Sequence, residues 1–160
     1  MGLKSSLLFF LAVSLLFSCD KKRVFDEYKS VGKAWDKDSI VSFDLPKVDT
    51  TQYYNLFLNI RDNDNYPFNN LFVIVSLEQP SGITKVDTLE YQMANADGTL
   101  LGDGFTDVKE SKLFYKERMK FKSGQYKLHI RQAARQTGKV SGVQKLEGIT
   151  EVGFRIEKLE

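Results

Sequence analysis

The sequence predicts an all-β protein: a single β-sandwich, of jelly-roll or immunoglobulin-like topology, preceded by a signal peptide and a short tether. Three observations predict it. From Ser39 onward the apolar residues recur with a period of two rather than 3.6, the spacing of a half-buried strand. The alternating runs are short and are separated by turn signals, as in sandwiches. No strand–helix–strand alternation is present, which argues against a parallel sheet. Periodicity does not separate the two topologies, and we favour the jelly roll.

The elements follow in order. Val41-Ser42-Phe43-Asp44-Leu45 places its odd positions inward and is ended by Pro46. Tyr54 to Arg61 places its even positions inward, with Phe57 the exception, and Asp62-Asn63-Asp64-Asn65 with Pro67 makes the next turn. Leu71 to Glu78 begins apolar on both faces, which predicts a central strand covered on both sides at its start. Pro80-Ser81-Gly82 is a turn, and Val86 to Met93 is a less tidy strand. Residues 94 to 110 form a long glycine-rich loop, and Lys112 to Arg118 is a short strand. Tyr126 to Arg131 and Val152 to Glu157 alternate cleanly. Between them Ala133 to Gln136 predicts a helical turn stopped by Thr137-Gly138.

The N-terminus is organised differently. Lys4 precedes an apolar run, Leu7 to Phe17, broken only by Ser14. At about 11 residues this run is shorter than the roughly 20 that span a bilayer, and it matches the h-region of a secretory signal. It ends Leu16-Phe17-Ser18-Cys19, which resembles the bacterial lipobox at Leu16, Ser18 and Cys19 and departs from it at Phe17, where a smaller residue is usual. The resemblance implies a diacylglyceryl thioether and an N-acyl chain on Cys19, with cleavage just before it. Two or three chains on one residue make a lasting anchor where one makes only a marginal one. The division is then residues 1–18 signal peptide, 19–38 acylated cysteine and tether, 39–160 sandwich. Phe25, Tyr28 and Trp35 are large for a free linker, and Trp35 is expected to dock on the domain. The pattern Met1-Gly2-x-x-x-Ser6 fits N-myristoylation but merges into the h-region and is read as coincidence.

Composition limits the function. Lys and Arg number 23 against 21 Asp and Glu, with a net charge of +2. No broad basic bias suggests a nucleic-acid partner. The local exception, Lys21-Lys22-Arg23 beside the anchor, reads either as a contact for anionic headgroups or as a solvated tether. Cys19 is the only cysteine, so no disulfide is expected and stability rests on the core. Asp62-Asn63-Asp64-Asn65-Tyr66 has Pro67 and Val73 where a calcium loop needs Gly and Glu. Gly102-x-Gly104-x-x-Asp107 lacks the third glycine of a dinucleotide fingerprint and reads as a tight loop. His129, the only histidine, falls on the polar face of its strand; alone it builds no structural zinc site, and no base is evident to pair with a nucleophilic serine. No catalytic residue, metal, cofactor or small-molecule substrate is assigned. An aromatic surplus remains: Phe57 and Phe72 lie opposite the main apolar stripe, and Tyr91, Phe105, Phe114 and Tyr115 lie in or near irregular regions.

Several segments together resemble a known family. These are Arg23 to Tyr28, Tyr54 to Phe57, Asn69 to Phe72, Asp87 to Tyr91, Gly102 to Glu110 and Leu146 to Arg155. In this order they resemble the gliding-motility lipoprotein family GldH of Bacteroidetes. The resemblance implies a non-enzymatic lipoprotein of the gliding and type IX secretion machinery that works through other envelope proteins. It implies no catalytic residues, and only the acylated cysteine carries over, to Cys19. Surface-exported lipoproteins of that phylum resemble one another in an acidic cluster after the cysteine. Asp20-Lys21-Lys22-Arg23 departs from it, which favours a domain facing the periplasm; the choice of inner or outer membrane stays open. The alternative reading is a lipid-anchored glycan-binding module, for which coplanar exposed rings would be the mark; a hydrolase comes last.

Overall fold

The computed structural model describes residues 20–159, so the signal peptide and Cys19 lie outside the described residues. Ten strands are present: β1 (Arg23–Ser30), β2 (Ala34–Asp36), β3 (Val41–Leu45), β4 (Tyr54–Asp62), β5 (Asn70–Glu78), β6 (Thr84–Gln92), β7 (Lys109–Met119), β8 (Tyr126–Gln132), β9 (Lys145–Glu147) and β10 (Ile149–Lys158). Eight of them form two four-stranded sheets, β1-β10-β4-β7 and β3-β8-β5-β6, and β2 and β9 form a short clip.

The pairings are nested. β1 pairs with β10, β3 with β8, β4 with β7 and β5 with β6, all antiparallel. The chain therefore behaves as one long hairpin rolled on itself, which is a jelly roll. Every strand read from the alternation is present. The alternation works because each sheet has one face on the core: in β3 Val41, Phe43 and Leu45 are buried, and in β8 Tyr126, Leu128 and Ile130. Phe25, Phe43 and Phe154 meet between the sheets with centroids 6.3 to 6.4 Å apart.

Three expectations need correction. The segment 19–38 is not a tether from Arg23 onward: β1 is a full strand on the edge of the first sheet, and β2 follows it. An edge strand buries only a few side chains, here Phe25 inward and Tyr28 outward, so it carries almost no alternation. Residues 133–136 form no helical turn; Ala134 N–H donates to Gln132 Oε1, and Arg135 bridges to Gly142. β5 is central, between β8 and β6, but Phe72 and Ile74 on its outer face are only half-buried. No third layer lies over them among the described residues.

Trp35 docks as expected. It is fully buried, its neighbour across the clip is Leu146, and its indole Nε1–H donates to Ser39 O at 3.0 Å. Trp35→Ala should lower unfolding stability by about 3–5 kcal/mol, the cost of emptying a large core site, read as a fall in the urea midpoint. A residue in a free tether would leave that midpoint unchanged.

Candidate functional site

The outer face of the sheet β1-β10-β4-β7 carries a continuous polar network. At its centre Gly153 of β10 leaves room that the Tyr28 ring fills: a Cβ at Gly153 would lie 2.8 Å from Tyr28 Cδ1. From there Tyr28 reaches across the sheet. Its hydroxyl donates to Glu110 Oε1 on β7 at 2.8 Å and accepts from Asn59 Nδ2 on β4 at 2.9 Å. Asn59 also donates to Asp26 Oδ1 at 3.2 Å. The Arg61 guanidinium lies 4.1 Å above the Tyr28 ring, within cation–π range. It donates to Glu110 Oε2 at 2.8 Å and to Glu151 Oε2 at 2.6 Å.

A second arginine organises the other half. Arg155 donates to Asp26 Oδ2 and Glu157 Oε1, each at 2.7 Å, and to Asp20 Oδ2. Lys112 Nζ donates to Glu157 Oε1 at 2.6 Å and lies 4.2 Å from the Phe57 ring centroid. Burial pushes the Glu110 carboxyl up, but the hydrogen bonds from Arg61 and Tyr28 outweigh it and hold it below its ordinary value. Burial, then the adjacent Glu110, drives the Tyr28 hydroxyl up, so it stays protonated and donating. The loop before β7 serves the same arrangement. Gly102, at φ +103°, passes 2.6 Å (as a Cβ distance) from Glu110 O, and Asp103 and Glu110 exchange backbone hydrogen bonds of 2.8 and 2.9 Å.

Beside the network Phe57 and Phe114 form a pair with centroids 5.5 Å apart and planes at 81°. Phe114 is 48% exposed. The rest of the aromatic surplus is dispersed. Phe72 is half-buried on the other sheet. Tyr115 points inward and donates to Asp87 Oδ2, and Tyr91 donates to the Phe114 carbonyl. Phe105 is fully exposed on the long loop.

The outer face of the second sheet holds an arrangement the sequence did not disclose. Ser42 of β3 lies opposite His129 of β8, which lies opposite Ser76 of β5. Ser42 Oγ is 2.7 Å from His129 Nδ1, and His129 Nε2 is 2.9 Å from Glu78 Oε1. The aspartate-rich turn after β4 closes on itself, with Tyr66 N–H donating to Asn63 O at 2.9 Å. Among the described residues no group of three His, Asp or Glu side chains is placed to hold a metal.

Asp62 stands apart. It continues the inward stripe of β4 after Leu56, Leu58 and Ile60, is fully buried, and neither carboxylate oxygen has a hydrogen-bond partner. Burial, helped by the charge of Asp64, pushes its carboxyl from 3.8 up to about 7.

The fold and this face define an eight-stranded jelly-roll domain with a connected ionic network on the outer face of one sheet, in which three cations are paired with five carboxylates. Four of the segments that carry the resemblance given above contribute to it, with Asp26 and Tyr28, Phe57, Glu110, and Glu151 with Gly153 and Arg155. The chain belongs to the GldH lipoprotein family, whose profile matches residues 23–156. It is 71% identical over 158 residues to the gliding motility lipoprotein GldH of Flavobacterium johnsoniae, covering 99% of each chain. It is 54% identical over 155 residues to a gliding motility lipoprotein GldH homolog of Christiangramia forsetii, covering 96% of this chain and 95% of that one. Among solved structures, a family GH115 4-O-methyl-alpha-glucuronidase superposes on 89% of this chain and 18% of its own, with a TM-score of 0.44 and 12% identity. Dimeric latent PorU from Porphyromonas gingivalis superposes with a TM-score of 0.38 and 9% identity, covering 88% of this chain and 14% of that one.

Two outcomes follow. Between pH 4 and 7 the folded state binds a proton at Asp62 that the unfolded chain does not, so stability falls as pH rises through that window. Asp62→Asn should flatten the slope and raise the urea midpoint at pH 8. Tyr28→Phe should cost about 1 kcal/mol, the net worth of a hydrogen bond, in the same titration at pH 7.

Proposed function

We propose that this chain is a lipoprotein of the cell envelope, anchored through acyl chains on Cys19. In this reading it serves the gliding-motility and type IX secretion machinery by protein contact rather than catalysis. Family membership over nearly the whole chain supports the gliding role. The observation that carries the mode of action is the outer face of the first sheet. Its charges are already paired within the molecule, so a partner meets a surface whose side chains are held in place, and ordering them costs little on binding. The exposed Phe114, edge-on to Phe57 at the margin of this polar field, supplies the apolar contact such surfaces use. The domain faces the periplasm on this reading, since basic residues follow Asp20.

The glycan alternative gains nothing from these rings: at 81° they offer a sugar no coplanar platform. The Ser42–His129–Glu78 chain favours a different second reading, a hydrolase. It has a nucleophile, a base and an acid in sequence. Acyl transfer also needs donors converging beside the serine oxygen, and Ser42 lies within strand β3 rather than at a turn or helix start.

Cys19→Ser should abolish metabolic labelling by an alkynyl fatty acid and fail to restore motility to a null strain; label persisting in the variant contradicts the anchor. Crosslinking and pull-down of the wild-type protein should recover envelope proteins, and Phe114→Asp should reduce that recovery severalfold. A fluorophosphonate probe should leave Ser42 unmodified. Labelling that Ser42→Ala removes would replace the contact reading with a hydrolase.

A further inference from the structure

The two ends of the sandwich differ, and the chain enters at only one of them. At the entry end β1 and β4 begin and β7 and β10 end, as the pairs Arg23–Glu157, Lys158–Tyr54 and Tyr54–Met119 show. The second sheet presents there the end of β3 and the start of β8, paired Leu45–Tyr126. The loops at this end are residues 46–53, 79–83 and 120–125. Residue 20 is fastened to it. Asp20 is held by Arg155, Lys158 N–H donates to Lys22 O at 2.8 Å, and Leu159 N–H donates to Tyr53 O at 2.9 Å. Cys19 is one peptide further on, about 3.8 Å from Cα to Cα. A group attached to it starts at this end, without the slack of a tether.

This end is basic. It carries Lys21 to Arg23, Lys47, Arg118, Lys120, Lys122, Lys127 and Lys158 against Asp20, Asp44, Asp49, Glu78, Glu117 and Glu157. Four of these acids are already engaged, Asp20 and Glu157 by Arg155, Asp49 by Thr51 and Glu78 by His129. Tyr53 is 41% exposed, with Arg118 and Lys120 5.2 and 5.6 Å from its ring. Ile83, at the 79–83 hairpin, is 59% exposed. Lysines around an amphipathic ring, with an aliphatic side chain alongside, suit the headgroup layer of an anionic bilayer. The opposite end is mixed in sign: Asp38, Asp64, Asp97, Asp103 and Asp107 share its loops with Lys33, Lys37, Arg135 and Lys139.

We propose that the basic end rests on an anionic lipid surface and sets the domain upright on the membrane. This rests on the reading of Cys19 as the acylated residue. The strands then rise from the surface. β7, at 11 residues and about 3.3 Å per residue, holds the far loops on the order of 35 Å above it. Those loops carry Phe105 and Val140, both fully exposed, so they point toward partners rather than lipid.

The test couples the mature chain, through its single cysteine, to a maleimide phospholipid in vesicles, and follows lysine acetylation by mass spectrometry. On vesicles containing phosphatidylglycerol at low salt, Lys47, Lys120, Lys122 and Lys158 should react several-fold more slowly than on pure phosphatidylcholine. Lys33 and Lys139 should react equally on both. The protection should fade at high salt. Lys120→Glu combined with Lys122→Glu should remove it at Lys47 and Lys158 while circular dichroism stays unchanged. Equal reactivity at the two ends, protection at the far end, or protection that survives the double variant would overturn the proposal. Because the coupling is chemical, the footprint reads the surface whether or not cells acylate Cys19. Absence of fatty-acid labelling of the wild-type protein in cells would strike the anchor alone.

Discussion

The structure depends on the pairing of β1 with β10. Arg23 to Ser30 lies along Glu157 to Glu151, joining the two ends of the described chain. Without it the outermost turn of the roll is missing, and β10 becomes an edge strand of a three-stranded sheet. Such a contact closes a loop of nearly the whole chain, an entropic cost that must be met by burial elsewhere. Phe25 meets it by wedging between Phe43 of one sheet and Phe154 of the other.

The same pairing builds the outer face. It sets Tyr28 beside Gly153 and Asp26 beside Arg155. A glycine in the middle of a strand weakens it, and the Tyr28 ring covers the gap from the neighbouring strand. Ion pairs that are partly exposed are individually worth little. Their effect here lies in arrangement: Arg155 gathers acids from β1, β10 and the residue at the chain's entry, and Arg61 gathers one each from β7 and β10. The face, the closure of the roll and the position of Asp20 are consequences of one register.

Much of this was legible as alternation, wherever a strand buries one full face. β3, β4, β8 and β10 are of that kind. β1, β2 and β9 were not, since an edge strand and two three-residue strands bury too few side chains to show a period. Trp35 was legible by size alone. The network was not, because its partners are far apart in sequence, as with Arg61 and Glu151 or Arg155 and Asp20, and only strand register brings them together. The Ser42–His129–Glu78 chain was hidden for the same reason. Asp62 did leave a trace: it stands at the next inward position after Tyr54, Leu56, Leu58 and Ile60, where a carboxyl is out of pattern. The reading of Cys19 as the acylated residue rests on the apolar run that precedes it and on Leu16 and Ser18; Cys19 lies outside the described residues.

The most direct measurement is amide hydrogen exchange along residues 20–36 of the mature protein at neutral pH. If β1 closes the roll, the amides of Phe25 to Lys29 that face β10 exchange slowly, within about an order of magnitude of their partners in β10. If those amides exchange at the rate of an unstructured peptide while β10 stays protected, the segment is a tether after all. The anchor would then swing free, and neither the ionic face nor the upright stance on the membrane would stand.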